Sequence, residues 1–466
     1  MLDWKCLLNE GRRKTKGQVA GGVESGRFEF ERDYDRILFA APTRRLADKT
    51  QVFPLDRNDS VRTRLTHSHE VSTLARSIGL RLVYEKENIF EGAEKGAFLQ
   101  RGIPAMLAAI GLVHDLGNPP FGHQGEYAIQ SWFKSKAEVF LDGMSAEEAE
   151  DFFAFDGNAQ TVRLVTKLQI LNDKFGLNLT YGTLAALIKY PVSVCGVDDK
   201  KWKKQGFFKS EQWIVEDVWS ETGLSHGVRH PLTYVMEACD DIAYSVLDAE
   251  DTVKKGLASY YDLLRYLKSA CGEDEVAKDV FSRSEQSSSS FEKSGLSPQE
   301  LNECSMQMFR VFSITAMVGS VVDEFANGVE GLMKGESLYK GLISVSGSAV
   351  LCKALKKFDL EYGFKHKSVL ELELRGNTFI TEVMDMLWVG VFGRLDKTQE
   401  SDKPFGKYVY SKISENYRRI FEDEKNDLPV RYKEAQLLAD SISGMTDSYL
   451  IALHSELKPL YDSHCK

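Results

Sequence analysis

The chain has 466 residues, of which 43% are apolar and 11% aromatic, enough to build a globular protein with a large buried core. Its net charge of −10 argues against a surface built as a whole for nucleic acid, so an anionic ligand needs a local cationic site. The seven cysteines form no C-x-x-C pair. They predict reduced thiols and exclude a zinc ribbon or a disulfide framework.

The first residues lack the basic and then apolar pattern of a secretory signal. No uninterrupted apolar run approaches the roughly 18 residues of a membrane span, and the stretch 103–113 is short and contains Pro104. We therefore expect a cytoplasmic protein that does not insert into a membrane.

Most of the chain carries apolar residues at helical spacing, with sparse glycine and proline. This pattern predicts a mainly α-helical fold. The clearest predicted helices cover residues 71–83, 127–139, 232–253 and 433–453.

Three segments depart from this pattern. The Ser-rich segment 282–298 offers little for a core and predicts a mobile surface loop. Strict alternation in 368–374 predicts a short strand. The basic cluster Lys200, Lys201, Lys203 and Lys204 predicts either a phosphate-contacting loop or an ordinary solvated charge run.

The densest polar signal is HDLGNPPFGHQGE, residues 114–126, which directly follows an apolar helix. Imidazole and carboxylate are suitable ligands for Mn²⁺, Fe²⁺, Co²⁺ or Mg²⁺, and adjacent helical residues can straddle one ion. A His-Asp pair alone is weak evidence for a metal site.

Two other segments strengthen the metal hypothesis. Residues 62–71, RTRLTHSHEV, place His67 and His69 near a helix start, on different faces, so that one of them is expected to be a ligand. Residues 237–248 place Asp240, Tyr244 and Asp248 on one helix face. Taken alone, that face is more typical of a solvated acidic stripe than of a ligand-binding face.

These motifs together resemble the bacterial deoxyguanosine triphosphate triphosphohydrolases of the HD-domain superfamily. The resemblance also includes RFEFERDYDRI at 27–37, RRLADKTQVFP at 44–54, KYP at 189–191, RHPL at 229–232 and GMTD at 444–447. It covers roughly residues 27–450, but no motif is placed between about 253 and 364. It implies an HD-type helical fold with additional helices.

The resemblance implies a role for each of twelve residues. The implied metal ligands are His67, His114, Asp115 and Asp240, and the implied catalytic pair is His123 and Glu126. The implied substrate contacts are Gln51 and Asp248 to the sugar 3′-hydroxyl, Tyr244 against the deoxyribose, and Arg64, Lys189 and Lys204 to the phosphates.

The spacing of the implied catalytic pair suits proton transfer. Glu126 follows His123 by three residues, so one helical turn brings the carboxylate to the imidazole, where it can orient the ring and raise its basicity. The alternative is a capping interaction at a helix start. Tyr244 can exclude a 2′-hydroxyl by bulk while Gln51 and Asp248 test for a 3′-hydroxyl.

We expect metal-dependent hydrolysis of a deoxynucleoside triphosphate, dGTP first among them, to deoxynucleoside and tripolyphosphate. Mn²⁺ or Mg²⁺ is the expected cofactor, with Co²⁺ or Fe²⁺ as alternatives. Other hypotheses are an HD phosphohydrolase acting on another nucleotide phosphate ester, and a catalytically silent nucleotide- or nucleic-acid-binding regulator.

The resemblance also implies an organisation and an assembly. Residues 1–60 form an N-terminal segment contributing to the nucleotide site, 61–255 the HD-type catalytic core, 256–300 a variable region with the Ser-rich loop, and 301–466 a C-terminal helical region packed on the core. The expected assembly is a homo-oligomer, a hexamer by resemblance, with single-stranded DNA or a nucleotide as effector.

Overall fold

The computed structural model of the protein describes residues 1–16, 26–53, 61–169, 174–198, 201–336, 341–396 and 401–465. The mainly α-helical prediction is confirmed. Within these ranges β pairing is limited to two isolated bridges, Arg12 with Thr180 and Thr50 with Thr63. Lys200 of the basic cluster and Pro54 of the 44–54 motif lie outside the described residues.

The described part of residues 1–254 contains twelve α-helices. They are α1 (Trp4–Leu7), α2 (Glu29–Leu38), α3 (Ala41–Arg45), α4 (Arg64–Glu85), α5 (Ala97–Val113), α6 (Gly122–Ser135), α7 (Ala137–Leu141), α8 (Ala146–Phe153), α9 (Gly157–Arg163), α10 (Tyr181–Leu187), α11 (Gln212–Thr222) and α12 (Pro231–Lys254). A π-helical turn, Leu164–Leu168, continues α9.

Nine further α-helices follow in the described second half. They are α13 (Tyr260–Cys271), α14 (Glu275–Glu292), α15 (Pro298–Met333), α16 (Ala349–Phe358), α17 (Lys367–Val391), α18 (Pro404–Ser411), α19 (Glu415–Phe421), α20 (Val430–Ser443) and α21 (Asp447–His464). A second π-helical turn, Asp359–Phe364, continues α16 and faces α12.

The packing of α4 along α5 places the site. A Cβ atom at Gly111 would lie 2.9 Å from the Cα of Ser72, so the missing side chain lets the two helices approach closely. The Ser72 hydroxyl also donates to the Ala108 carbonyl of α5 at 2.8 Å. Because α12 packs against both helices, the start of α4, the end of α5 and the middle of α12 meet.

Two sequence predictions of local structure are wrong. Residues 368–374 lie in the 25-residue helix α17, whose buried residues recur at helical spacing from Val369 through Gly376 and Ile380 to Leu387. The Ser-rich segment is largely helical, because α14 runs to Glu292. There the small Ser288 side chain accepts a hydrogen bond from Ser305 of α15 at 2.9 Å, which explains serine at a close helix–helix contact.

Helix α15 is the one helix of the described chain that is long and apolar enough to cross a membrane. Length and composition alone are weak evidence, because core helices pass the same test. Here α15 packs on α12 and α14 and buries Met306, Phe309, Val321 and Phe325.

Most buried apolar side chains form one contiguous cluster that draws on helices from α1 to α21. A small separate cluster joins Val52 and Phe53 to Val369. The division of the chain at residues 60, 255 and 300 stays a prediction.

Candidate functional site

Four residues from three helices converge at the meeting point of α4, α5 and α12. One possible ligand atom from each of His67, His114 and Asp115 lies within 4.8 Å of the others. The Asp240 Oδ1 atom lies 3.2 Å from His67 Nε2 and 3.4 Å from His114 Nε2. His69, which lies on a different face of α4, is not part of this group.

Neighbouring groups fix the orientation of these side chains. His114 Nδ1 lies 2.8 Å from the Gly111 carbonyl oxygen, which favours a proton on Nδ1 and leaves Nε2 for a ligand. The Asn118 amide donates to Asp115 Oδ1 at 2.7 Å, and Arg64 donates to Asp115 Oδ2 at 2.6 Å.

The group fits a divalent metal ion. His114 Nε2 and His67 Nδ1 are buried atoms without a hydrogen-bond partner among the described residues. Burial alone would lower the pKa of His114, but the carboxylates of Asp115 and Asp240 outweigh it and raise that pKa to about 9. The pocket therefore favours a cation, and two imidazoles with two carboxylates suit Mn²⁺, Fe²⁺, Co²⁺ or Mg²⁺.

His123 and Glu126 form a hydrogen-bonded pair at the start of α6. His123 Nδ1 lies 2.9 Å from Glu126 Oε2, and the imidazole side chain is 76% exposed while the carboxylate is buried. Burial raises the pKa of Glu126, but the hydrogen bond from His123 and the charge of Lys204 outweigh it, so the pKa is lowered. The ionised carboxylate holds Nδ1 and leaves Nε2 available to a substrate.

The three predicted phosphate ligands lie around this centre, each beside a carboxylate. Arg64 contacts Asp115 as above. Lys189 Nζ lies 3.4 Å from Asp240 Oδ2, and Lys204 Nζ lies 2.6 Å from Asp156 Oδ2 and 3.6 Å from Glu126 Oε2. All three cations therefore border the metal ligands or the His123 pair.

The segment that carries Lys204 is anchored by buried aromatic residues. Trp202, Phe207 and Phe208 are buried, and the Arg229 guanidinium lies 4.6 Å from the Trp202 ring centroid. Lys204 is thus fixed by the core and does not belong to a freely solvated charge run.

Two of the three predicted sugar contacts, Tyr244 and Asp248, lie further along α12, and the third, Gln51, lies in the N-terminal part of the chain. Asp248 is buried, and both carboxylate oxygens lack a partner among the described residues. Burial, reinforced by the charge of Asp251, raises its pKa. The Tyr244 ring lies 5.6 Å from that of Phe364. Gln51 Oε1 is buried and has no hydrogen-bond partner in the part of the chain that the structure describes. Unsatisfied buried polar atoms are costly unless a ligand satisfies them.

The turn between Asp115 and α6 holds a strained residue. Phe121 has φ +60°, a left-handed conformation that costs a bulky residue about 1–2 kcal/mol. A Cβ at Gly376 of α17 would lie 2.5 Å from the Phe121 ring, so that glycine makes room for it. The Gly157 amide donates to Glu126 Oε1 at 2.8 Å on the other side.

Sequence reasoning missed the groups that support this turn. Asn118, Lys49 and Asp447 are buried and contact the turn directly. Lys49 and Asp447 lie inside motifs that carry the family resemblance, which is the one signal that could have pointed to them.

The fold and the site define a mainly α-helical protein with a candidate divalent-metal centre. No protein-family model matches the chain. A protein of Listeria monocytogenes named deoxyguanosinetriphosphate triphosphohydrolase-like protein is 35% identical to this chain, over 98% of this chain and 100% of the relative. A protein of the same name from Pseudomonas aeruginosa is 31% identical over 98% of both chains. A deoxyguanosinetriphosphate triphosphohydrolase of Serratia proteamaculans is 30% identical over 90% of this chain and 92% of its own. The chain therefore belongs to the deoxyguanosinetriphosphate triphosphohydrolase family.

Proposed function

We propose that the protein hydrolyses deoxynucleoside triphosphates, with dGTP as the preferred substrate, to a deoxynucleoside and tripolyphosphate. The proposal includes dependence on a divalent ion, Mn²⁺ or Mg²⁺ first and Co²⁺ or Fe²⁺ as alternatives. The names of its relatives support the reaction.

The observation that carries the proposal is the arrangement of three kinds of groups on connected elements. One group supplies possible metal ligands and consists of His67, His114, Asp115 and Asp240. The hydrogen-bonded His123–Glu126 pair follows it on α6. Unpartnered Asp248 continues the Asp240 face of α12 by two further helical turns.

In this proposal the four ligands would hold the ion, which supplies charge neutralisation and an activated water when bound. Arg64, Lys189 and Lys204 bind the phosphate chain and supply the local positive charge that an acidic protein needs. When substrate and metal bind, each of these cations would exchange its carboxylate partner for a phosphate oxygen, and the carboxylates of Asp115 and Asp240 would bind the metal.

His123 transfers protons to and from the reacting oxygens at the scissile bond. Glu126 fixes the imidazole through Nδ1, so Nε2 is the ring atom that exchanges a proton with the reacting oxygens. Because the carboxylate is buried and stays ionised, it also stabilises the protonated ring. The pair therefore acts as one unit.

The far side of the site selects the sugar. Gln51 and Asp248 would satisfy their free polar atoms on the 3′-hydroxyl, and the Tyr244 ring would leave no room for a 2′-hydroxyl. Deoxyribose is then preferred over ribose.

Product analysis tests the proposal. The purified protein is incubated with each deoxynucleoside triphosphate and with GTP, in Mn²⁺ or Mg²⁺, and products are separated by ion exchange. We expect deoxynucleoside and tripolyphosphate, fastest from dGTP. A nucleoside monophosphate with pyrophosphate would overturn the reaction, and no turnover of any nucleotide would favour a silent regulator.

We also propose a homo-oligomer, a hexamer in keeping with the family resemblance. Phe39 and Leu374 support it, since they are 75% and 70% exposed and large apolar side chains are commonly covered in assemblies. Light scattering on the purified chain tests this. An effector, either single-stranded DNA or a nucleotide, remains part of the proposal, and so does a cytoplasmic location.

A further inference from the structure

We propose that Lys49 and Asp447 are positioning residues that together hold the turn between the Asp115 metal ligand and the His123–Glu126 pair. The inference deepens the proposed function and rests on it for its activity readout. Neither side chain hydrogen-bonds to a residue predicted to bind substrate, although the Lys49 backbone carbonyl oxygen accepts the Arg64 amide at 3.1 Å, so the side chains act indirectly.

Lys49 acts on the metal side of the turn. Its buried Nζ donates to the Asn118 carbonyl oxygen at 2.6 Å and to the Ser443 carbonyl oxygen at 2.7 Å. The Asn118 side chain in turn donates to Asp115 Oδ1 at 2.7 Å. Through two hydrogen bonds, Lys49 therefore fixes a predicted metal ligand against the C-terminal end of α20.

Asp447 acts on the catalytic side. Its Oδ1 accepts the Phe121 amide at 3.1 Å, and its Oδ2 accepts the Thr50 amide at 3.0 Å and the Thr50 hydroxyl. Phe121 is the left-handed residue immediately before α6, two positions before His123. Thr50 is the neighbour of Gln51.

The two residues thus tie the turn between Asp115 and His123 to the segment at Thr50 and Gln51, which is distant in sequence. A left-handed phenylalanine persists only where its surroundings enforce that backbone. Asp447 supplies the acceptor for its amide, and Gly376 supplies space for its ring. Without the acceptor, the start of α6 and the direction of the His123 side chain lose their constraint.

Arg45 provides a matched comparison. It joins the same chain regions, donating to the Gly444 carbonyl oxygen at 3.0 Å and to Tyr417, but it makes no hydrogen bond to the turn. A general loosening of the two regions affects Arg45 and Lys49 variants alike. If Lys49 has a positioning role, its variant should lose more activity than the Arg45 variant.

The experiment compares Lys49→Met, Asp447→Ala, Asp447→Asn and Arg45→Met in the full chain. We expect kcat on dGTP to fall about 10- to 100-fold in Lys49→Met and Asp447→Ala, with KM within about twofold of wild type, as for outer-shell partners of other metal sites. Asp447→Asn keeps one acceptor and should restore part of the rate. Arg45→Met should keep the wild-type kcat.

Hydrogen exchange gives a readout that needs no turnover and also serves if Lys49→Met fails to fold. The Phe121 amide should exchange at least about tenfold faster in Asp447→Ala than in Arg45→Met, at equal global stability. Equal exchange of that amide in both, or equal kcat in both, would overturn the inference. An inactive wild type would sink the proposed function, while the exchange comparison would still decide the role of Asp447.

Discussion

His67 and His69 lie on the same turn of α4, but His67 is buried against Asp240 while His69 is partly exposed. We predict that His67→Ala loses most of its bound metal, because three remaining ligands cannot replace a buried imidazole. His69→Ala is the matched control and should retain a full complement. Elemental analysis of both purified variants measures this, and equal metal loss would mean that the ligand is wrongly assigned.

The His123–Glu126 pair makes a second prediction. His123→Ala and Glu126→Gln should each lower kcat by about 10²- to 10⁴-fold while metal content stays unchanged, since proton transfer is lost and ligation is not. The double variant should be little worse than either single one, because the two side chains act together. Steady-state kinetics with elemental analysis check this.

Tyr127 supplies the control for that experiment. It follows Glu126 on α6 and is 61% exposed. Tyr127→Ala should keep wild-type kcat. If it loses as much rate as His123→Ala, the effect belongs to the start of the helix and not to the pair.

At the residue scale, spacing indicated that only one of His67 and His69 is a ligand, and the family resemblance implied His67. The resemblance also implied the His123–Glu126 pair, which the three-residue spacing allows. Lys49 and Asp447 could not be assigned in this way. Asp447 lies 397 residues from Thr50, and neither side chain has a local partner that spacing could reveal. Their positions follow from tertiary packing of α20 and α21 on the turn.

At the scale of elements, periodicity predicted the helices at 71–83 and 232–253, which lie within α4 and α12. It failed at 368–374, where a short window hid the longer helical pattern of α17. Leu370 and Leu374 are exposed there while Val369 is buried, so the alternation does not mark a buried face. The loop prediction for the serines at 287–290 was wrong because it rested on composition, and composition cannot show that serines fit a close contact between α14 and α15.

The link from Lys49 to α20 predicts a pH dependence of stability. Burial lowers the pKa of Lys49 to about 7, and the positive charges of Arg64 and Arg45 lower it in the same direction. The negative charges of Asp447 and Asp115 oppose this shift but do not cancel it. Between that value and the amine's ordinary 10.5, the unfolded chain binds a proton that the folded chain does not. Stability should therefore rise with pH over this window, by up to about 1.4 kcal/mol per pH unit.

Urea unfolding at several pH values measures that slope. In Lys49→Met the contribution disappears, so the free energy of unfolding should rise less steeply with pH than in wild type. Identical slopes would show that Lys49 keeps its ordinary pKa in the folded protein. The comparison uses slopes, so a constant loss of stability in the variant does not affect it.

At the scale of the whole molecule, a buried charge cluster ties α9 to the C-terminal helices. Arg163 lies 2.7 Å from Asp440 and 2.9 Å from Glu211, and all three side chains are buried. Arg163→Met should lower the free energy of unfolding by about 3–5 kcal/mol, because it leaves the buried Asp440 without its counter-ion, whereas Glu211 keeps Lys167 at 3.0 Å. Chemical denaturation measures the loss.

Arg419 is the control for this prediction. It forms an exposed i,i+4 pair with Glu415, so Arg419→Met should change stability by no more than about 0.5 kcal/mol. A loss in Arg163→Met as small as that in Arg419→Met would show that the buried cluster is not needed for stability.

The hydrogen bonds from Lys49 and Asp447 to the turn between Asp115 and α6 have a consequence for when the protein becomes active during synthesis. A nascent chain that has passed α12 already contains every predicted ligand and catalytic residue, yet it lacks the acceptor that holds Phe121. Ribosome-bound chains that stop before Asp447 should therefore consume nucleotides at least about 10- to 100-fold more slowly than the full chain, as expected for Asp447→Ala. Full activity is then reached only after translation has produced α21.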